Sequence, residues 1–184
     1  MASNVSIRFW QEKQKRMCYN STMIIMGLDP GTARVGWGII LEAPTGPKPI
    51  AYGIIETKKE KSDDQRLVDI HKSISILLSK YKPDDVAIES LFFATNATTA
   101  MSVGQARGVL LLTCSLAKIK TFSYSPLEVK RCITGDGKAD KKQVQYMVTR
   151  QLHLVKTPKP DDVADALAIA LTHAFSYRMK GKLL

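Results

Sequence analysis

The chain has 184 residues, 45% of them hydrophobic, which is enough to bury one good core and hardly two, so we expect a single compact domain. Twenty-seven Lys and Arg against 17 Asp and Glu give a formal net charge of +10, which favours an anionic partner, nucleic acid before an acidic membrane surface. There is no apolar stretch near the roughly 20 residues of a membrane span and no secretory signal, so we expect a cytoplasmic protein.

The first third of the chain predicts an N-terminal extension followed by a meander of strands. Residues 1–22 are basic and have no apolar periodicity, so we predict a disordered extension before a domain over residues 23–184. Met23–Leu28 is a continuous apolar run typical of a buried strand. Val35–Leu41 follows after a Pro-Gly turn, and Ile50–Thr57 alternates like a strand with one exposed face.

The rest of the chain alternates between helical and strand patterns. Apolar residues at helical spacing up to Tyr81 predict a helix that Lys82-Pro83 ends. The last predicted helix begins after Pro160 and has a buried stripe. Such an order predicts a layered α/β domain. The intervening predicted elements are strands at Asp85–Glu89 and Thr121–Tyr124 and helices at Thr98–Ala117, Leu127–Ile133 and Lys141–Leu152.

Four carboxylates stand at the ends of these apolar elements. Asp29 and Glu89 each close a strand, while Asp162 and Asp165 open the last helix on one face, three residues apart. Two carboxylates about 5 Å apart repel by roughly 3 kcal/mol at an effective dielectric near 20, so four converging acids are costly. Divalent cations remove that cost, and oxygen ligands suit Mg²⁺ or Mn²⁺. If the acids converge, they predict a two-metal nuclease site.

Each acid also has a purely structural interpretation. An Asp before Pro-Gly is a common turn residue, which accounts for Asp29 taken alone. Helix capping and dipole compensation account for Asp162. Asp165 is harder to explain in this way, because it adjoins the buried stripe of its helix. The three histidines have no short spacing to a Ser or Cys nucleophile, so no catalytic triad competes with the acids.

Positive charge is concentrated before the last helix. From Lys118 to Arg150 there are eight basic residues and three acids, a local excess of five positive charges that is suited to phosphate contacts. Arg107 lies upstream in the segment Gly104-Gln105-Ala106-Arg107-Gly108, whose small residues predict a close backbone approach. An Arg there is consistent with a DNA contact, a dimer contact or an exposed helix charge.

Several motifs in order resemble the RuvC-type Holliday-junction resolvases. They are Gly27-Leu28-Asp29-Pro30-Gly31-Thr32 with Gly36-Trp37-Gly38, Ala87-Ile88-Glu89-Ser90-Leu91-Phe92, the segment around Arg107, and Asp162-Val163-Ala164-Asp165-Ala166-Leu167-Ala168-Ile169-Ala170. The resemblance covers Met23 to about Phe175. It implies an RNase H-like fold with a five-stranded mixed sheet and helices on both faces.

The resemblance also implies an activity and roles for individual residues. It implies a homodimeric, Mg²⁺-dependent endonuclease, with Mn²⁺ as a substitute, that nicks a four-way DNA junction symmetrically in recombination and repair. Asp29, Glu89, Asp162 and Asp165 would be the catalytic metal ligands, two ions per site. Phe92 would stack on a junction base, worth about 1–3 kcal/mol, although both Phe92 and Phe93 could be core residues. Lys130 and Lys141 would contact the DNA backbone, and the RuvA–RuvB branch-migration complex would be a partner.

Three other functions are compatible with parts of the pattern. Asp29-Pro30-Gly31-Thr32 is also similar to the first phosphate loop of actin-like ATPases, but those proteins need a second lobe that a chain of this size lacks. A junction-binding module that has lost cleavage is disfavoured because all four acids are present. An RNase H-like enzyme acting on RNA–DNA hybrids is the third, and the basic stretch and Phe92 favour branched DNA over it.

Overall fold

A computed structural model describes residues 22–90 and 97–183 of the chain. In this part of the chain the elements follow the predicted order, with ends that differ from the predicted ones by a few residues. The strands are β1 (Met23–Asp29), β2 (Arg34–Glu42), β3 (Lys48–Glu56), β4 (Asp85–Glu89) and β5 (Lys120–Tyr124), and the helices are α1 (Asp63–Tyr81), α2 (Ala97–Leu116), α3 (Pro126–Thr134), α4 (Lys141–Gln151) and α5 (Asp161–Leu183).

The strands form one mixed sheet in the order β3-β2-β1-β4-β5. β2 pairs antiparallel with both β1 and β3, which makes the predicted meander. β4 pairs parallel with β1 and with β5, so these three strands end at the same edge of the sheet. The predicted five-stranded mixed sheet is confirmed, and its carboxyl edge is where open α/β folds place their ligands.

Two hydrophobic clusters cover the two faces of the sheet, which confirms helices on both sides. Ile25 and Ala87 face a cluster built from α3, α4 and α5. Met26, Leu28 and Ile88 face the other cluster, with α1 and α2. Because successive side chains of a strand point to opposite faces, these assignments fix the face of every other residue of β1 and β4.

Three glycines let α5 lie directly on the sheet. An ideal Cβ at Gly27 would come within 2.0 Å of the Ala166 carbonyl oxygen, and one at Gly36 within 2.0 Å of the Asp162 carbonyl oxygen. At Gly38 it would meet the Leu167 side chain at 2.6 Å. A Cβ at Gly108 meets nothing within 4 Å in the part of the chain that the structure describes, so the close approach predicted for the helix segment around Arg107 stays a prediction.

Local signals set the start and end of several helices. Lys82 ends α1 in the left-handed conformation, with φ 46°, as the Lys82-Pro83 pair predicts. Capping boxes begin α3 at Ser125 with Glu128, and α4 at Asp140 with Gln143. The second box fixes Lys141 as the first residue of α4.

Two predictions fall largely or wholly on other parts of the chain. The predicted extension over residues 1–22 lies, except for Thr22, outside the described residues, and so does Phe92. Among the helices of residues 22–90 and 97–183, none has the length and apolar run that a membrane crossing requires.

Candidate active site

Asp29 and Glu89 project from the same face and the same edge of the sheet. In the parallel pairing of β1 and β4, Leu28 lies opposite Ile88, so Asp29 and Glu89 follow at equivalent positions. Ile25 and Ala87 face α5, and alternation therefore directs Asp29 and Glu89 toward α5 as well. Both acids are half-buried. The sequence prediction that these two carboxylates share one edge is consistent with this geometry.

The first turns of α5 bring Asp162 and Asp165 to the same edge. Gly36 pairs with Asp29 across β1 and β2, and the Asp162 backbone lies directly over Gly36. Gly36 has no side chain and so leaves room for α5, which brings Asp162 next to Asp29. Asp162 also belongs to the first turn of α5, where its negative charge interacts favourably with the helix dipole. This interaction is compatible with a place in the site.

The electrostatics of Asp29 identify the four acids as neighbours. Burial, together with the charges of Glu89, Asp165 and Asp162, raises the pKa of Asp29 to about 8, and Lys141 opposes this change. Burial disfavours the charged form of a carboxyl, and like charges within a few ångströms add to the effect. Perturbed carboxyls of this kind concentrate at functional sites.

The pKa values of Glu89 and Asp165 are raised as well. Burial and the Asp165 charge raise the pKa of Glu89, while a hydrogen bond from Asp29 and the charge of Lys141 lower it. Burial also raises the pKa of Asp165, against the opposing effect of Lys141. Asp29, Glu89 and Asp165 thus all have a raised pKa, and burial is the largest cause for each.

Lys141 supplies positive charge to this group of acids. Its ammonium nitrogen lies 3.7 Å from Asp165 Oδ2, with the lysine side chain 70% exposed and the aspartate 29% exposed. The sequence predicts a DNA-contacting lysine here but not its pairing with an acid. The two residues are far apart in sequence, and only the capping box before α4 and the packing of α4 on α5 bring them together.

The four carboxylates lie near one another but do not surround a single point. Among residues 22–90 and 97–183, no group of three or more His, Cys, Asp or Glu side chains is already placed to hold a single metal ion. The charges of Glu89, Asp165 and Asp162 all act on Asp29, so these three acids lie within electrostatic reach of it. Mutual repulsion keeps carboxylates apart, and a divalent cation reverses that balance. The donor chemistry of the four oxygens fits a hard cation.

The remaining predicted site residues have separate positions. Lys130 lies on α3, half-buried, and its predicted DNA contact stays a prediction. Phe92 lies outside the described residues, so its predicted stacking role stays a prediction too. His173 is a core residue, with Nε2 3.0 Å from Asp85 Oδ2 and Nδ1 2.8 Å from the Tyr124 hydroxyl.

Arg107 has a role that the sequence leaves open. Its Nε donates to the backbone carbonyl of Glu89 at 3.1 Å, and its Nη2 donates to Ser123 Oγ at 2.7 Å. Arg107 thus bonds to the backbone of Glu89, one of the four acids. Spacing along the chain cannot reveal this contact, because the partners belong to α2, β4 and β5.

A mixed sheet in this order, with acids at its carboxyl edge and at the start of the last helix, defines an RNase H-like nuclease domain. The family model for the crossover junction endodeoxyribonuclease RuvC matches residues 25–173. The chain belongs to this family.

Individual relatives support the same assignment. The chain is 49% identical over 161 residues to the RuvC of Natranaerobius thermophilus, covering 88% of this chain and 100% of the relative. The structure of Thermus thermophilus RuvC in complex with a Holliday junction substrate superposes with a TM-score of 0.81 at 34% identity, covering 86% of this chain and 97% of that one. The yeast mitochondrial Holliday junction resolvase, at 14% identity and a TM-score of 0.67 over 94% of this chain and 88% of that one, shares the fold.

Proposed function

We propose that this protein is a structure-specific endonuclease that resolves four-way DNA junctions by paired, symmetric nicks during homologous recombination and DNA repair. The observation that carries the proposal is the group of four acids at one sheet edge in a chain of the RuvC family. The Thermus thermophilus relative was solved on a Holliday junction substrate, which supports the same substrate here.

Asp29, Glu89, Asp162 and Asp165 are the proposed ligands of two Mg²⁺ ions, which Mn²⁺ can replace. This assignment is supported by four half-buried carboxylates that have one lysine beside them. When bound, two such ions would supply the chemistry of the reaction, since they would activate a water, orient the phosphodiester and stabilise the departing oxygen. The contribution of the protein is to hold the acids on rigid elements, because β1, β4 and α5 are all packed in the core.

Lys130, Lys141 and Phe92 are the proposed DNA contacts. The ammonium of Lys141 lies 3.7 Å from Asp165 Oδ2 on a side chain that is 70% exposed, which supports a phosphate contact beside the acids. Phosphate contacts of this kind position the substrate without reading its sequence. Phe92 follows Glu89 by three residues, and a base stacked on it would lie close to the cleavage site.

We further propose a homodimer that works with the RuvA–RuvB branch-migration complex in the cytoplasm. Two symmetric nicks require two sites, and a twofold dimer supplies them. Large apolar side chains on α2 support a protein contact, because Met101 is 72% exposed, Leu112 58% and Leu116 67%. Light scattering should give twice the 20.4 kDa chain mass at micromolar concentration, and a monomer would contradict this part of the proposal.

A competition between substrates tests the proposed function. The purified protein is incubated with labelled four-way junctions, linear duplexes and RNA–DNA hybrids, with Mg²⁺ or with EDTA. We expect Mg²⁺-dependent nicks at symmetric positions in opposing strands of the junction and little cleavage of the other substrates. Faster cleavage of the hybrid would assign the protein to a different RNase H-like activity, and cleavage in EDTA would contradict the metal ligands.

A further inference from the structure

Arg107 bonds to two strands at the edge of the acid site. It lies on α2, on the sheet face opposite α5, and its half-buried side chain reaches the carboxyl ends of β4 and β5. The Nε–H donates to the carbonyl oxygen of Glu89 at 3.1 Å, and Nη2 donates to Ser123 Oγ at 2.7 Å. Hydrogen bonds from a charged donor are roughly twice as strong as neutral ones, so these contacts are a substantial restraint.

The helix that carries Arg107 is itself fixed. Ala106, Leu110 and Cys114 on α2 are fully buried and pack in the cluster that contains Val86 and Ile88 of β4. The backbone next to Arg107 therefore cannot rotate or slide without opening this cluster. The Arg107 guanidinium is therefore carried by a rigid helix. A residue that orients another residue needs such a helix.

Glu89 is the residue of β4 that most needs an outside restraint. The pairing of β4 with β1 ends, in the described residues, at Leu28 and Ile88, so within the sheet the backbone of Glu89 pairs with β5 only. The backbone bond from Ser90 N to the Tyr124 oxygen, 2.8 Å, is the next contact along the chain. Arg107 donates to the carbonyl of Glu89 and so restrains the last peptide of the strand.

The contact leaves the Glu89 carboxylate available. Alternation along β4 directs that carboxylate toward α5, whereas Arg107 approaches from the α2 side and takes only the carbonyl. A guanidinium bound to the carboxylate itself would compete with any cation for its oxygens. Orientation through the backbone avoids this competition.

We propose that Arg107 is a positioning residue of the nuclease site: with Ser123 it fixes the carboxyl end of β4 and thereby aims Glu89 at the other three acids. This inference rests on the proposed function, because it concerns the rate of junction cleavage. The sequence is consistent with a DNA contact, a dimer contact or an exposed helix charge for Arg107. The proposed role is instead a contact within the chain.

The test compares Arg107→Ala, Arg107→Lys, Ser123→Ala and the control Lys72→Ala, which removes an exposed positive charge from α1. Three quantities are measured for each protein: the single-turnover nicking rate at saturating enzyme, the junction Kd in EDTA, and the melting temperature. We expect Arg107→Ala to slow nicking about ten- to a hundred-fold, the range for an ångström-scale misplacement, with Kd within about threefold of wild type. Arg107→Lys, which keeps one donor, should recover part of the rate, and Lys72→Ala should behave as wild type.

Two outcomes for Arg107→Ala overturn the inference. A wild-type nicking rate in Arg107→Ala removes the positioning role, and a loss of affinity that matches the loss of rate makes Arg107 a DNA contact instead. If Arg107→Ala does not fold, Ser123→Ala decides, because it removes one of the two contacts at an exposed position; a rate reduced severalfold supports the inference and an unchanged rate overturns it. Failure of the wild type to nick junctions would instead count against the proposed function.

Discussion

The backbone of Asp162 lies so close to Gly36 that a single methyl group would not fit between them. An ideal Cβ at Gly36 would stand 2.0 Å from the Asp162 carbonyl oxygen and 2.5 Å from its carbonyl carbon. Gly36 also pairs with Asp29 across the antiparallel ladder of β1 and β2. The glycine thereby sets the distance between two of the four acids, one on the sheet and one on α5.

Gly36→Ala should therefore lower both stability and nicking. The added methyl group must push α5 off the sheet, and overpacking of this kind typically costs about 1–3 kcal/mol. Lys72→Ala is the control, because it changes an exposed residue of α1 that lies outside the site. Melting curves and nicking rates of the two variants are compared. Equal behaviour of the two would show that the contact at Gly36 does not position the acid.

The contribution of Asp29 to the stability of the protein in EDTA should fall as the pH rises from about 4 to 8. The folded-state pKa of Asp29 is raised to about 8 by burial and by the neighbouring carboxylates, whereas its ordinary value is 3.8. In this window the folded protein keeps a proton that the unfolded chain has lost, so stability decreases with increasing pH. Asp29→Asn removes this dependence. We expect the melting temperature of the variant, relative to wild type, to increase from pH 5 to pH 8. A constant difference would contradict the raised pKa.

Lys141→Met should slow cleavage more than Lys142→Ala, although the two lysines are neighbours on α4. Only Lys141 is paired with Asp165, at 3.7 Å, and its charge opposes the raised pKa values of Asp29 and Glu89. Its loss should therefore move the nicking pH profile toward higher pH, since the acids then ionise later. Rates are measured from pH 6 to 9 at saturating enzyme. Identical profiles for the two variants would remove Lys141 from the electrostatics of the site.

Asp85→Ala should destabilise the protein without disabling its chemistry. Asp85 is 7% exposed, and its Oδ2 lies 3.0 Å from His173 Nε2 between β4 and α5. Removal of the partner leaves a buried imidazole nitrogen unsatisfied, at a cost of about 1–3 kcal/mol. We expect a melting temperature several degrees lower and near-normal nicking well below the midpoint. Unchanged melting would mean that another group or water replaces the carboxylate.

The order of elements could be predicted from the sequence, because periodicity and turn residues are local. The Asp85–Glu89 strand and the stop at Lys82 illustrate this. Contacts between distant segments could not be predicted in the same way. The Lys141–Asp165 pair, the Arg107 contact with Glu89 and the seat of α5 on Gly36 each join elements that only the packed sheet brings together.

Conservative variants of the acids test whether the four carboxylates form one cleavage site. Asp29→Asn, Glu89→Gln and Asp165→Asn are each assayed for Mg²⁺-dependent nicking of a four-way junction and, in parallel, for junction affinity in EDTA. We expect each variant to lose nicking while its affinity stays near that of wild type, because metal-assisted hydrolysis needs every ligand and affinity comes mainly from phosphate neutralisation elsewhere. Full nicking activity in any one of the three would remove that residue from the site, and full activity in all three would contradict the account.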